Sequence, residues 1–322
     1  MAERAKVVLV TGASAGIGLA CADLLHEAGW AVIGASRRGT AAGSTPGTAT
    51  ASTPGIQTGT ATGSTAGNAA GRAGLSSGDA AATGSTAATT PAAAGGWSGL
   101  VMDVDDDASV RDGVRGIISA HGRLDAIVAA AGWGVAGPVE LTTVAEAKAQ
   151  LETNFWGCVR VVRAALPAMR AQGGGRIVLI SSIGGVLGVP FQAFYSASKF
   201  ALEGYGEALA YEVAPFGIEV TLVQPGNVRT DFTANRQMAA AARGESVYSA
   251  ALAKAVGLME RDEINGAPAG DVAAVVRRVL TARRPPRRVS VGKAGERIGL
   301  LAKRVLPFRV FEAGAKSSLG VG

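Results

Sequence analysis

The sequence is poor in the residues that most directly announce a chemistry. Only 5% of its 322 residues are aromatic, and it has two cysteines and two histidines. Cys21 and Cys158 lie far apart in apolar, helix-like contexts. They have neither metal-ligand spacing nor the pattern of a disulfide framework, which fits a reducing, cytoplasmic compartment. His26 and His121 fall near predicted helix ends, away from the other motifs, and read as surface or helix-dipole partners. No His/Cys/carboxylate cluster has the spacing of a metal site, so no metal is expected. No stretch approaches ~20 uncharged apolar residues, which excludes a spanning helix. The opening MAERAKVVLVTG runs straight into a strand pattern and lacks the layout of a signal peptide.

One segment lacks nearly everything. From 39 to 96 the chain is almost entirely Ala, Gly, Ser and Thr with a few Pro. Such a composition buries too little surface to offset its ordering entropy, and a disordered insertion is expected there. Charge is also unevenly spread. Between Arg283 and Arg309 nine Lys/Arg accompany a single acid, Glu296, a net of +8; with a total of +6, the rest of the chain carries −2. The basicity belongs to the C-terminal tail, and no aromatic stacking platform accompanies it, so no nucleic-acid partner is expected.

Elsewhere strand and helix patterns alternate. Short apolar, β-branched runs at 6–10, 30–35, 98–102, 124–131, 175–181, 218–223 and 288–291 predict buried parallel strands. Helical periodicity follows at 16–28, 108–120, 143–170 (one helix or two, with Pro167 near its end), 193–213 and 271–282. The fold class is α/β, one doubly wound parallel sheet with helices on both faces. In such sheets the ligand lies beyond the carboxyl ends of the strands.

Those ends carry the unusual residues. After the first strand, Gly12, Gly16 and Gly18 in TGASAGIG (11–18) permit a tight turn through Ser14 and Ile17. Backbone N–H groups at the start of the next helix then approach a pyrophosphate. The second strand ends in Ser36-Arg37-Arg38 without a carboxylate. A guanidinium pair suits a ribose 2′-phosphate and favours NADP over NAD, unless both are solvated loop arginines. Asp103 and Val104 follow the third strand, where Asp103 can accept from an adenine amino group or serve as a loop or cap aspartate. Tyr195 and Lys199 stand four apart in a helical segment, one turn apart on one face. An ammonium beside a phenol is expected to lower its pKa from about 10 towards the useful range. Ser182 lies upstream beyond a Gly-rich loop, placed to hold a substrate oxygen.

Taken together these segments resemble the short-chain dehydrogenase/reductase family, and within it the steroid and retinol dehydrogenase branch. The resemblance rests on TGASAGIG at 11–18, Asp103-Val104, AAAG at 129–132, Asn154 in TNFWG, ISS at 180–182, YSASK at 195–199 and PGNVRT at 225–230. It covers residues 5–235 outside the insertion. It implies a Rossmann fold and an NADP-dependent oxidoreductase acting on CH–OH groups. The carried-over catalytic set is Asn154, Ser182, Tyr195 and Lys199, with Tyr195 as acid or base and Asn154 holding a water that relays protons from Lys199. Gly132, Pro225, Gly226, Val228 and Thr230 would shape the nicotinamide half of the site. The family usually has Asn where Ala130 stands, a departure that bears on strand tethering more than on catalysis.

The resemblance divides the chain into a catalytic domain, 1–292, and a basic amphipathic tail, 293–322. Within the domain, 227–270 covers the substrate, and Phe232, Met238, Tyr248, Leu258 and Met259 are candidates for an apolar wall. Ile298, Leu301, Val305 and Phe308 share one helical face of the tail. That face would pack on the body or a neighbouring subunit, or make weak contact with an anionic membrane surface. The expected partner is a small to medium lipophilic carbonyl or alcohol, in a homo-oligomer (dimer or tetramer). A dinucleotide-binding regulatory protein without turnover and a membrane-surface lipid reductase are the rival readings.

Overall fold

The computed structural model describes residues 4–38, 89–90 and 96–318. The chain opens with β1 (Val7–Thr11), α1 (Gly16–Glu27) and β2 (Ala31–Ser36). Then come β3 (Thr89–Thr90), β4 (Ser98–Val101), α2 (Asp107–His121), β5 (Ala126–Ala129) and the short β6 (Val135–Ala136). They are followed by α3 (Val144–Leu151), α4 (Cys158–Ala171), β7 (Gly175–Ile180), α5 (Ala193–Val213) and β8 (Ile218–Pro225). Small elements come next: β9 (Val228–Arg229), α6 (Phe232–Asn235), β10 (Gln237–Met238), α7 (Ser249–Ile264) and β11 (Ala267–Pro268). The chain ends with α8 (Ala269–Thr281), β12 (Arg288–Val291), α9 (Ala294–Val305) and α10 (Phe308–Ser318).

The main sheet runs β12-β8-β7-β5-β1-β2-β4-β3, with all neighbours parallel except the β3–β4 pair. This is the doubly wound Rossmann arrangement. Its centre, β1 and β5, is buried at every position, as unbroken apolar runs require of strands covered on both faces. One core layer packs Val110, Val114 and Ile117 of α2, Val161 and Met169 of α4 and Leu202 of α5 against one face. The other packs Cys21 and Leu25 of α1 and Val272, Val276 and Val279 of α8 against the opposite face. Both cysteines are buried free thiols, their pKa pushed up to about 12 by burial. The strand order reverses between β1 and β5, and there the connections leave for opposite faces.

The structure adds detail to three of these expectations. Most of the 39–96 insertion lies outside the described residues, but Thr89–Thr90 is a strand paired with the outer edge of β4. Two β-branched residues there satisfy backbone groups that a bare sheet edge would leave open. Trp97, buried, then anchors the chain beside Gly34 and donates its indole N–H to Asp23 at 2.8 Å. Second, of the one or two helices expected over 143–170 the structure has two, α3 and α4, joined by a π-helical segment, Glu152–Gly157, that contains Asn154. Third, Pro167 stands near the end of α4, as expected, and the helix continues past it to Ala171. Burial of Val162, Ala165 and Met169 on both sides of it outweighs the one missing N–H.

Candidate active site

A cavity of about 740 Å³ opens at the carboxyl ends of β1, β2, β4, β5, β7 and β8. Every site residue expected from the sequence lines it except Asn154, which stands behind its wall. At the floor, Gly12, Ser14, Gly16, Ile17 and Gly18 form the turn from β1 into α1. Gly12 has φ +69 and Gly16 φ +54. A Cβ on Gly18 would lie 2.3 Å from the Gly12 carbonyl oxygen, so strand end and helix start touch only because neither carries a side chain there. The α1 N-terminus has no side-chain cap, which leaves its first N–H groups to face the cavity. Thr11 secures this turn to β5: its Oγ1 accepts from the Ala130 and Ala131 N–H groups at 3.1 and 3.2 Å. That tether explains how Ala130 is tolerated.

At one end, Arg37 and Arg38 are exposed beside the cavity, and the Ser36 hydroxyl is buried without a hydrogen-bond partner among the described residues. Asp103 also reaches the wall, but its carboxylate accepts from the Asp105 N–H at 3.1 Å, the loop use foreseen as the alternative. Asp105 itself was missed. Its carboxylate takes the Thr153 hydroxyl at 2.8 Å, and burial raises its pKa. The glycine-lined turn, the uncapped helix start and the unpaired Ser36 hydroxyl fit a dinucleotide lying from α1 to Arg37.

At the other end the catalytic candidates converge. β7 ends at Ile180, a 3₁₀ turn over Ile183–Gly185 follows, and Ser182 caps it by accepting the Gly184 N–H at 3.0 Å. Tyr195 and Lys199 project from the first two turns of α5. Lys199 donates to the Ile180 carbonyl oxygen at 2.9 Å, with its Nζ 5.8 Å from the Tyr195 ring centroid. Asn154 accepts from the Trp133 N–H at 3.0 Å and donates to the Trp133 carbonyl at 3.0 Å and to Ser198 Oγ at 3.1 Å. A Cβ on Gly132 would lie 3.1 Å from Asn154 Oδ1 and 3.8 Å from Lys199 Nζ, so these three crowd together at the head of β5. The π-helical segment turns Asn154 inward here.

The electrostatics differ from the expectation. Burial holds the Tyr195 phenol above its ordinary pKa. A hydrogen bond with Ser182 pulls it back, Glu263 adds to the rise and Arg236 opposes it. Lys199 does not act to lower it, because its ammonium is turned to the Ile180 carbonyl. Lys199 is instead the depressed group, taken down to about 8 by burial and partly offset by Cys158 and Glu203.

The 227–270 segment forms the upper wall. Phe232, Leu258 and Met259 line the cavity, and the Phe232 ring meets Tyr195 edge-on, with centroids 5.7 Å apart. Met238 packs instead with Val135, and Tyr248 donates to Glu140 at 2.7 Å on the surface. Neither side chain lines the cavity, although Gln237 beside Met238 does. Sequence reasoning also missed Arg236 and Glu263, a buried ion pair that ties α6 to α7 beside Phe232. Gln192, buried three residues before Tyr195 with an unpaired amide N–H, lines the same wall. No local sequence pattern marks them: Arg236 and Glu263 meet across 27 residues, and Gln192 stands out only by its burial.

The comparisons follow the geometry. A family model described as short chain dehydrogenase matches residues 6–58 and 49–241. The 3-ketodihydrosphingosine reductase of Bacteroides thetaiotaomicron is 43% identical over 208 residues, covering 65% of this chain and 77% of that protein. Human retinol dehydrogenase 8 is 44% identical over 131 residues, 41% of each chain. A short-chain dehydrogenase structure from Streptomyces avermitilis superposes with a TM-score of 0.67 at 28% identity over 100% of both chains. A Burkholderia phymatum short-chain dehydrogenase/reductase solved with NAD gives 0.66 at 20% identity, covering 96% of this chain and 95% of the other, which speaks to the fold. With the family model laid over most of the chain and the fold matched from end to end, this protein belongs to the short-chain dehydrogenase family of nicotinamide-dinucleotide oxidoreductases.

Proposed function

We propose that the protein is an NADP-dependent oxidoreductase that interconverts a lipophilic ketone or aldehyde and its alcohol. The observation that carries this reading is the convergence of Ser182, Tyr195 and Lys199 on one cavity with a glycine-built phosphate turn. The bound nicotinamide dinucleotide would supply or accept the hydride. Gly12, Gly16 and Gly18 would admit its pyrophosphate, and Arg37 and Arg38, with Ser36, its 2′-phosphate. Pro225, Gly226, Val228 and Thr230 would border the nicotinamide.

The chain's own groups would handle the proton. Tyr195, kept protonated by burial, donates to the carbonyl oxygen in reduction, while the Ser182 hydroxyl holds that oxygen and stabilises developing charge. Lys199, held by the Ile180 carbonyl, would donate to the cofactor ribose. Asn154 holds Gly132 and Trp133 against Lys199 and completes the proton path to solvent. Phe232, Leu258 and Met259 supply the apolar wall, and the similarity to a named ketone reductase supports a ketone substrate. Exposed Trp156, Phe200 and Tyr211 on and beside the long helices α4 and α5 support a homo-oligomer.

A specific observation favours a second element, contact with an anionic membrane surface. On α9, Ile298, Leu301 and Val305 are 66%, 60% and 67% exposed, not packed on the body. Arg297 and Arg304 lie on the same helix. Among the described residues no helix is long and apolar enough to cross a membrane.

With NADPH and a panel of lipophilic ketones, Tyr195→Phe is expected to lower kcat by about 10²-fold or more while leaving NADPH binding intact. Full activity in that variant would refute the acid role; tight NADPH binding without turnover on any substrate would favour a regulatory protein. Replacing Arg37 and Arg38 together by Ala should raise KM for NADPH by about tenfold or more and leave KM for NADH nearly unchanged. Equal effects on both cofactors would count against the 2′-phosphate contact. Lys199 is depressed to about 8 in the folded chain, against about 10.4 for an unfolded lysine. The unfolded state therefore binds more protons between these values, and stability rises with pH across that window. Lys199→Met should abolish activity yet raise Tm at pH 7, with the gain shrinking as pH climbs past 8. A Tm difference independent of pH would rule out this charge cost. In a flotation assay, the full chain should rise with phosphatidylglycerol-containing vesicles and not with pure phosphatidylcholine. Ile298→Ser/Leu301→Ser should stay at the bottom, and so would the native chain if the membrane contact is wrong.

A further inference from the structure

The loop that borders the nicotinamide end of the cavity is gripped by the terminal segment. β12 pairs with β8 up to Val291 opposite Pro225, and the Gly226 N–H donates to the Val291 carbonyl at 2.7 Å. The chain then turns through Gly292 into α9, and Glu296 in its first turn reaches back. Its Oε1 accepts from both the backbone N–H and the side-chain amide of Asn227, at 2.9 and 2.8 Å. Its Oε2 accepts from the Lys293 N–H at 2.8 Å. A Cβ on Gly226 would lie 2.1 Å from Oε2, and one on Gly292 2.2 Å from the same oxygen. Two glycines thus leave a slot that the carboxylate fills. On its far side Asn227 is held by the cap, its carbonyl accepting from Ala267 at 2.9 Å.

A carboxylate at the third helical position commonly bonds the N-cap N–H. That use occupies only Oε2. Oε1 has a separate task, two hydrogen bonds to a residue 69 positions earlier that lines the cavity. Charge-assisted bonds of this kind are about twice as strong as neutral ones. Helix capping alone does not account for them.

We propose that Glu296 is a positioning residue for the nicotinamide end of the cofactor site, acting through Asn227 and Gly226. The 293–318 segment is then part of the catalytic unit and not an appended tail. This rests on the reading that Pro225–Thr230 border the nicotinamide.

The test reads NADPH binding directly, through the fluorescence of the reduced nicotinamide, so no substrate is needed. Asn227→Asp sets two carboxylates against each other. Its Kd for NADPH should rise about tenfold at pH 8 and recover towards pH 5, as the pair takes up a shared proton. Adding Glu296→Gln to Asn227→Asp restores one donor and one acceptor in reversed sense and should recover most of the affinity at pH 8. Glu296→Ala should weaken NADPH binding about tenfold by itself, with a melting temperature of the dinucleotide-free protein close to native, and it decides the matter if Asn227→Asp does not fold. Native affinity in Glu296→Ala, or a double variant no better than Asn227→Asp, overturns the proposal and leaves the oxidoreductase reading standing. A native chain that binds neither NADPH nor NADH overturns that reading and this inference with it.

Discussion

Parallel strands force their connections to one end of the sheet, and between β1 and β5 those connections part to opposite faces. The cleft this creates is the constraint on which the rest depends. It brings the glycine turn after β1, the Gly132 loop after β5 and the Ser182 turn after β7 to one rim, although the first lies more than a hundred residues before the other two. The close approach of Gly18 to the Gly12 carbonyl keeps that rim shallow at its floor, where backbone atoms and no side chains face the cavity.

Around the cleft the structure keeps polar groups out of water at some cost. Lys199 is buried and bonded to a backbone carbonyl, and burial lowers its pKa. Glu203, buried one turn further along α5, partly compensates. Glu203 in turn accepts from Gln224 at 2.9 Å and from Arg288 at 2.8 Å, which links the lysine's helix to β8 and β12. Charge-assisted contacts therefore tie α5 to the last strand, and separate ones from Glu296 tie α9 to Asn227 at the rim of the cavity.

Local patterns were readable because they depend on neighbours in the chain. The apolar runs of β1 and β7 and the extent of α5 follow from spacing and composition. What failed has a common cause. The phenol of Tyr195 responds to burial by Phe232 and its surroundings more than to the lysine four residues on, and no spacing rule carries desolvation. The π-helical turn at Asn154 is a tertiary outcome that no local signal announces. Met238 and Tyr248 have the right polarity for a pocket wall but point elsewhere, because β10 pairs with β6 and the Tyr248 hydroxyl reaches Glu140.

By itself the sequence determined the alternation of the main strands and helices and the glycine-rich turn between β1 and α1, since each is written in residues close together. Only the tertiary structure decided which groups meet across distance. It brought Thr11 to Ala130, Arg236 to Glu263 beside the tyrosine, and Glu296 to Asn227 across 69 residues. Those contacts depend on how layers stack and on which atoms are shielded from water, and both are properties of the folded chain as a whole.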